Sequence, residues 1–235
     1  MTRQVVLDTE TTGLNAKLGD RIIEIGCVEI LDRRISERIF HTYLNPEREV
    51  EFGATRVHGL TREDLLAKPK FPEVAKDLLD FVAGAEIIIH NADFDVEFLD
   101  LELGRARLGP FKEHVGAITD TLFMARELHP GRKNSLDALC ERYFVDNANR
   151  TLHGALLDAR LLAECYLAMT RGQESLMMEL ETPAAAAAAL AALQIDVSSL
   201  IVLPPLPEEI VLHEQYLDGL DKEAKSGSLW RKLAA

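Results

Sequence analysis

The 235-residue sequence predicts an α/β layer fold in which helices flank a mixed five-stranded sheet. Three observations lead to this prediction. Apolar residues alternate with polar ones in the first third of the chain, helical spacing of apolar residues follows, and two short apolar runs interrupt the helices. The predicted order is βββ-α-β-α-β-α-α-α. Because a helix separates the last two strands, these strands are expected to be parallel in a sheet that begins antiparallel.

The strands are predicted from alternation and from continuous apolar runs. Residues 4–8 (QVVLD) form a β-branched run, and residues 21–30 and 34–44 alternate apolar and polar side chains around a turn. Connections this short predict an antiparallel meander. Residues 86–90 (EIIIH) have the composition of a strand buried on both faces, and residues 118–121 make another short strand.

The helices are predicted from capping residues and apolar stripes. Thr61 precedes a short helix, and Asp64 follows it by three residues, which is close to a capping box. Apolar stripes predict the remaining helices of this domain at residues 74–82, from residue 94 onward, and at residues 122–128, 135–143 and 155–169.

The composition changes after residue 181, which predicts an appendage to the main domain. We assign residues 1–172 to the α/β domain and 173–181 to a short connecting segment. Residues 182–203 form a linker that contains alanines and proline, and residues 204–235 form a partner-binding tail. An alanine-rich run this short is marginally helical in isolation. The alternative for the linker is an ordinary surface helix of the main domain.

The tail carries an amphipathic pattern and the single tryptophan of the chain. Pro207, followed by two glutamates, is suited to begin a helix. The chain then ends in a segment that contains Leu229 and Trp230. A tryptophan beyond a linker is better suited to anchor in a partner's pocket than to belong to the core.

Composition limits the possible environments and partners. The 26 basic and 39 acidic residues give a net charge of −13, which is unfavourable for holding a long polyanion. A nucleic-acid substrate would therefore be held by a short terminus. The sequence has no apolar run long enough for a membrane span and no signal-like N-terminus, so we expect no membrane partner. Three widely separated cysteines predict reduced thiols and a cytoplasmic location.

Four acidic residues and one histidine are the candidates for chemistry. Asp8 and Glu10 are two residues apart at the end of the first strand, so they project to the same face. Asp95 is expected in the opening turn of a helix. His153 and Asp158 are five residues apart, and on a continuous helix they would point about 140° apart. His153 is therefore expected in the loop before the helix, with Asp158 on the helix body.

Each of these features alone has an ordinary explanation, such as a solvated strand end, a carboxylate at a helix N-terminus or a structural histidine. Their convergence would be different, because carboxylates brought together repel one another unless a cation lies between them. A pair of hard divalent cations is the expected ligand, and metal-assisted hydrolysis of a phosphodiester is the expected chemistry.

Three motifs in this order resemble those of the DEDDh exonuclease superfamily: DTETTG at 8–13, HNADFD at 90–95 and H-x₄-D at 153–158. The resemblance extends from residue 4 to about residue 170. It implies an RNase H-like fold and 3′–5′ exonuclease activity. Within the superfamily the chain is similar to the proofreading subunits of bacterial replicative polymerases.

The resemblance also implies roles for individual residues. Asp8, Glu10, Asp95 and Asp158 would hold two Mg²⁺ or Mn²⁺ ions, with Asp8 bridging them, and His153 would accept the proton of the attacking water. A further set would contact the terminal nucleotide of a single-stranded or frayed DNA 3′ end. Its members are Thr9, Thr11, Thr12, His58, Asn91 and Phe94.

Partner-binding segments follow from the same resemblance. Residues 173–178 (QESLMM) look like a sliding-clamp binding motif in which Gln173, Leu176 and Met178 make the contacts. The alternative is the frayed end of a helix. The tail resembles a segment that binds the catalytic (alpha) subunit of the polymerase, with Leu229 and Trp230 as contact residues.

The sequence therefore predicts a proofreading 3′–5′ exodeoxyribonuclease that is tethered to a replicative polymerase. One alternative is a free-standing exonuclease that trims DNA or RNA ends, because the same acids would serve either. Another is a catalytically silent scaffold between clamp and polymerase. The tail favours the first function over the second, and the presence of all four acids and the histidine argues against the third.

Overall fold

The computed structural model describes residues 2–148, 150, 152–171 and 204–223. The strands in this part of the chain form one mixed sheet in the order β3-β2-β1-β4-β5. They are β1 (Arg3–Thr11), β2 (Ile22–Leu31), β3 (Arg34–Tyr43), β4 (Glu86–Ile89) and β5 (Ala117–Asp120). β1 pairs antiparallel with β2 and parallel with β4, and β5 pairs parallel with β4. The predicted meander and the predicted parallel pair are confirmed.

Eight α-helices occur within the same described ranges. They are α1 (Phe52–His58), α2 (Arg62–Leu65), α3 (Phe71–Val82), α4 (Ala92–Arg105), α5 (Thr121–Leu128), α6 (Leu136–Tyr143), α7 (Ala155–Met169) and α8 (Pro207–Glu223). Two short 3₁₀ helices span Ala16–Leu18 and Phe111–Glu113. The capping box of Thr61 and Asp64 is present at α2. No helix in these ranges is long and apolar enough to cross a membrane.

Helix α1 was not predicted from the sequence. Its apolar residues Phe52 and Val57 are exposed, and only His58 is buried. A helix that buries no stripe leaves no apolar periodicity in the sequence, which explains the omission.

The chain divides into two compact units, residues 1–179 and 180–235. The second unit contributes α8, whose start at Pro207 agrees with the sequence-based expectation. The segment 173–181 and the linker 182–203 lie outside the described residues. So do the expected partner contacts Gln173, Leu176, Met178, Leu229 and Trp230.

The sheet separates two hydrophobic cores. Leu7 belongs to the core formed with α3 and α4, whereas Val6 belongs to the core formed with α6 and α7. Side chains alternate along a strand, so Asp8 and Glu10 continue the face of Val6 and point toward the α7 side. Thr9 continues the face of Leu7 and points toward α4. The end of β1 therefore supplies polar groups to both helical layers.

Helix α7 lies directly on strand β2 at Gly26. A Cβ atom on Gly26 would be 2.3 Å from the carbonyl carbon of Ala155 and the backbone nitrogen of Leu156. Gly26 is paired with Asp8 across the β1–β2 ladder. This close approach therefore positions the first turn of α7, which contains Asp158, beside the end of β1.

Replacing Gly26 with alanine should lower the free energy of unfolding by about 1–3 kcal/mol, because the added methyl group meets rigid backbone. Urea unfolding of the full chain measures this loss. Gly104→Ala is the matched control, since a Cβ at Gly104 in α4 has nothing within 4 Å. Equal stability of Gly26→Ala and wild type would contradict the proposed role of this contact.

Candidate active site

A cleft opens at the carboxyl end of β1, between α4, the α5–α6 connection and α7. The residues that line it combine acids, bases and amides: Asp8, Thr9, Glu10, His90, Asn91, Phe94, Asp95, Leu122, Arg126, Arg132, Lys133, Asn134, Ser135, Leu136, Asp137, Arg150, His153 and Asp158. All four predicted acids and the predicted histidine are among them. The structure therefore brings together three parts of the sequence that are far apart along the chain.

Asp95 is supplied by the first turn of α4 and is 4% exposed. Its Oδ1 accepts a hydrogen bond of 2.7 Å from the hydroxyl of Thr9. Thr9, a predicted nucleotide contact, thus fixes the orientation of a carboxylate while it also lines the cleft. Asn91 precedes the helix in a left-handed conformation (φ 68°), so the chain turns sharply from β4 into α4.

Asp120 holds this turn in place, and the sequence-based reasoning missed it. Its two carboxylate oxygens accept hydrogen bonds from the backbone N–H groups of Asn91 (3.2 Å) and Ala92 (3.1 Å). Oδ1 also accepts from the backbone N–H groups of Leu122 and Phe123 at the start of α5. An aspartate directly before a helix was the available signal, because this position favours capping.

His153 lies in the loop before α7, as expected. Its backbone N–H donates to the carbonyl of Val57 at 3.0 Å, and Gly154 then takes an extended conformation before the helix begins. Asp158 projects from the first turn of α7 and is 3% exposed. The bend allows the histidine and the aspartate to face the same cleft although they are five residues apart.

The acidic groups converge closely. One ligand atom each from Glu10, His153 and Asp158 lies within 4.8 Å of the others. Asp8 is buried beside Asp95, Glu10 and Asp158, and all three raise its pKa through charge repulsion. A set of hard oxygen donors with one imidazole fits a divalent cation such as Mg²⁺ or Mn²⁺.

Burial and mutual repulsion disfavour the ionised acids in the absence of a cation. Burial is the main cause that raises the pKa of Asp8 well above its ordinary value. Burial, followed by the charge of Asp158, raises the pKa of Glu10 to about 8. Burial also raises the pKa of Asp95 to about 7, against the opposing effect of the Thr9 hydrogen bond. The cleft therefore favours the binding of positive charge.

Arg150 supplies one such charge and was not anticipated from the sequence. Its Nε and Nη2 atoms donate to the two carboxylate oxygens of Asp158, both at 2.6 Å. Its Nη1 donates to Asp137 at 2.5 Å, and Nη2 also lies 2.9 Å from Nδ1 of His153. A basic residue three positions before the candidate histidine was the only signal available.

A second, more apolar pocket adjoins the first, and Thr9, Glu10 and Phe94 line both. Its other lining residues are Thr11, Gly13, Leu14, Glu51, Gly53, Ala54, Val57 and His58. Nδ1 of His58 accepts a hydrogen bond from the backbone of Leu60 at 3.1 Å. Its Nε2 is buried and has no hydrogen-bond partner in the described part of the chain. A polar atom left in this state gains from a ligand that can bond to it.

The predicted threonines differ in position. Thr11 lines the apolar pocket, and its hydroxyl donates to the carbonyl of Gly13 at 2.6 Å. Thr12 is fully buried, donates to Asp20 at 2.9 Å and lines neither pocket. The structure therefore places Thr12 in the support of the loop after β1 and away from the nucleotide-contacting surface that the sequence led us to expect.

Comparison with known proteins gives the family. The sequence profile of the exonuclease family (RNase_T) matches residues 5–166. The chain is 48% identical to the DNA polymerase III subunit epsilon of Pasteurella multocida, covering 100% of this chain and 95% of the relative. The chain belongs to the DNA polymerase III epsilon family of exonucleases. The subunit epsilon of Escherichia coli K12 is also 48% identical, with 98% of both chains covered.

Similarity to a solved structure agrees with this family. Exonuclease X in complex with 5′-overhanging duplex DNA superposes with a TM-score of 0.55 and 25% identity, covering 72% of this chain and 92% of that chain. The predicted fold and the predicted proofreading 3′–5′ exonuclease activity are thereby confirmed. Dependence on divalent metal is a property of this exonuclease superfamily, and the donor set described above fits it. Membership of the epsilon family excludes the silent scaffold and favours the polymerase-associated enzyme over the free-standing one.

The metal-free protein should lose stability as the pH rises from about 5 to 8. The pKa of Glu10 is about 8 and that of Asp95 about 7 in the folded chain, both higher than in the unfolded chain. The folded state therefore binds more protons across this window, and the free energy of unfolding falls as they are released. Urea unfolding in a chelator at several pH values measures the slope.

Glu10→Gln is the control for this pH dependence, because it removes one of the titrating groups and keeps the shape of the side chain. We expect its stability to fall less steeply between about pH 5 and 8. The same slope in Glu10→Gln and wild type would show that the raised pKa of Glu10 is not its cause.

Proposed function

We propose that the chain removes misincorporated 3′-terminal nucleotides from DNA as the proofreading subunit of a bacterial replicative polymerase, by hydrolysis that requires two Mg²⁺ or Mn²⁺ ions. The observation that carries this proposal is the convergence of Asp8, Glu10, Asp95 and Asp158 in one cleft where burial and repulsion favour a cation. Ionising several buried acids side by side is unfavourable unless a bound cation offsets their charge.

The residues of the cleft divide the chemical work. The four acids would hold the ions, with Asp8, which is close to the other three, as the bridging ligand. Such ions, when bound, lower the pKa of the attacking water and stabilise the charge on the leaving 3′ oxygen. His153, whose side chain is 44% exposed beside Asp158, would accept the proton of that water.

The apolar pocket is suited to the terminal nucleotide. Phe94 provides a ring on which a splayed base can stack regardless of its identity, and Val57 and Leu14 provide apolar walls. His58 Nε2, which is buried without a hydrogen-bond partner in the described residues, would bond to the nucleotide. Thr11, Asn91 and the backbone near Thr9 would complete the contacts. Recognition of this kind is independent of sequence, as removal of any misincorporated nucleotide requires.

The preceding phosphates would be held by a small basic cluster. Arg126, Arg132 and Lys133 line the same cleft on or after α5, although the chain as a whole carries a net charge of −13. Local cations of this kind attract phosphate, while the overall negative charge opposes binding along a long duplex. Only the single-stranded 3′ end is therefore expected to be bound tightly by the chain alone.

The partners in this proposal are a sliding clamp and the polymerase catalytic (alpha) subunit, which would also place the chain in the bacterial cytoplasm. Residues 173–178 would bind the clamp. The tail from residue 204 would bind the catalytic subunit, and exposed apolar side chains on α8 support this role: Ile210, Val211, Leu212 and Tyr216. Exposed apolar side chains on a helix are suited to pack against a partner protein.

Asp8→Asn and Asp95→Asn should each lower exonuclease turnover by a hundredfold or more, about the effect of losing several kcal/mol of transition-state stabilisation. The measurement is time-resolved digestion of matched and mismatched primer termini, with and without the polymerase catalytic subunit. Wild type should prefer mismatched ends, and the partner should increase that preference. Circular dichroism would verify that both variants keep their fold.

Asp93→Asn is the matched control for these variants, since Asp93 is an exposed acid in the same first turn of α4 as Asp95. It should retain wild-type turnover. His153→Gln should depress turnover while metal affinity changes little. Full activity in Asp8→Asn, or equal losses in the Asp93 and Asp95 variants, would refute the assignment of these acids.

Deletion of residues 207–235 should abolish stable binding to the polymerase catalytic subunit and leave hydrolysis of a single-stranded oligonucleotide unchanged, because the catalytic cleft is built entirely from the first unit. Size-exclusion chromatography of the mixed proteins measures the first effect and an oligonucleotide assay the second. Undiminished binding of the truncated chain would exclude the tail as the contact.

A further inference from the structure

Arg150 makes more polar contacts than the catalytic role of the cleft requires. Its side chain is 6% exposed and is paired with Asp158 and Asp137. Asp158, its main partner, is 5% exposed at the side chain. A guanidinium buried this far, and paired with an expected metal ligand, calls for an explanation beyond the neutralisation of surface charge.

The geometry of the Arg150–Asp158 pair opposes metal binding by that carboxylate, because the guanidinium already holds a positive charge against both of its oxygens. Two parallel N–H···O bonds of 2.6 Å occupy both of its oxygens. This bidentate arrangement is the strongest form of a carboxylate–guanidinium pair. A divalent cation needs at least one of the same oxygens at about 2.0–2.1 Å, where it would be repelled by the guanidinium charge beside that oxygen. Metal and Arg150 therefore compete for Asp158.

The same guanidinium also constrains His153. Because arginine can only donate, the hydrogen bond of 2.9 Å between Nη2 and Nδ1 is made by the tautomer in which Nδ1 accepts, whereas the other tautomer would donate from Nδ1 to Oδ2 of Asp158 at 3.3 Å. A neutral imidazole in this arrangement carries its proton on Nε2. Neither ring nitrogen then has a free lone pair with which to take a proton from water. While the bond to Arg150 persists, this tautomer of His153 cannot act as a general base.

We propose that Arg150 is a positioning residue that serves as an internal counter-cation. It holds Asp158 and His153 together in the metal-free site and releases both when a divalent cation binds Asp158. Asp137, which is largely exposed and bonded to Nη1, can retain the guanidinium at the edge of the cleft after that release. This inference rests on the proposed role of Asp158 as a metal ligand.

The test is calorimetric titration of the full chain with Mn²⁺, in wild type and in Arg150→Gln. The variant should bind Mn²⁺ about tenfold more tightly, because the metal no longer has to break the charge-assisted hydrogen bonds to Asp158. Without metal, the variant should unfold at a lower urea concentration than wild type, since a buried carboxylate loses its partner. Tighter metal binding together with lower metal-free stability is a combination that a purely structural arginine would not produce.

Arg132→Gln separates this effect from general electrostatics. It removes one positive charge from the same cleft, and the side chain of Arg132 forms no ion pair with an acid in the described ranges. Its Mn²⁺ affinity should change by about twofold or less, because an exposed charge is screened by solvent. Unchanged affinity in Arg150→Gln, or an equal increase in both variants, would overturn the inference.

Two further variants complete the test. Asp158→Asn should weaken Mn²⁺ binding strongly, and retained affinity there would refute the metal role of Asp158 itself rather than the role of Arg150. Should Arg150→Gln fail to fold without metal, Arg150→Lys takes its place, since one ammonium group keeps the charge but cannot span both oxygens of Asp158. We expect tighter Mn²⁺ binding than in wild type for this variant too, and wild-type affinity would count against the inference.

Discussion

Repulsion among buried carboxylates is the interaction around which this fold is organised. Burial makes Asp8 costly to ionise, and the neighbouring charges of Asp95, Glu10 and Asp158 add to that cost. The four acids stay together because each belongs to an element that is fixed elsewhere. The cores on both faces of the sheet hold β1, α4 and α7 in place. Hydrophobic burial therefore provides the free energy that offsets the electrostatic strain of the cleft.

The contact between α7 and Gly26 shows how little space separates this helix from the sheet. The backbone of Ala155 lies where a side chain on β2 would otherwise stand. Any larger residue there would move the first turn of α7 outward, and with it Asp158. His153 depends on the same geometry, since the chain reaches α7 through a loop whose backbone is bonded to Val57 of α1. A helix that contributes little to the core is thus needed to position the histidine.

Much of the fold could be predicted from the sequence because its strands and helices bury periodic faces. Helix α1 could not, since its apolar residues are exposed. The four acids were predictable because strand ends and helix starts are visible in the sequence. Gly26 and Arg150 were not, because their roles arise from tertiary contacts: Gly26 with α7, and Arg150 with Asp137, His153 and Asp158. Arg150 lies in a stretch without periodicity, where the sequence gives no indication of its partner.

The distribution of charge supports the proposal that such a site works with both metal and partners. The acids proposed to bind metal would also repel the phosphate backbone, and the net charge of −13 would add to that repulsion. A cation in the cleft would offset the local negative charge, and Arg126, Arg132 and Lys133 add further positive charge to the same cleft. In the metal-free chain Arg150 supplies part of this positive charge, but it is then bonded to both Asp158 and His153. Asp158 is thus both the partner that neutralises Arg150 and the proposed metal ligand. A site that is stabilised by this ion pair without metal must therefore bind its metal more weakly than a set of unpaired acids would.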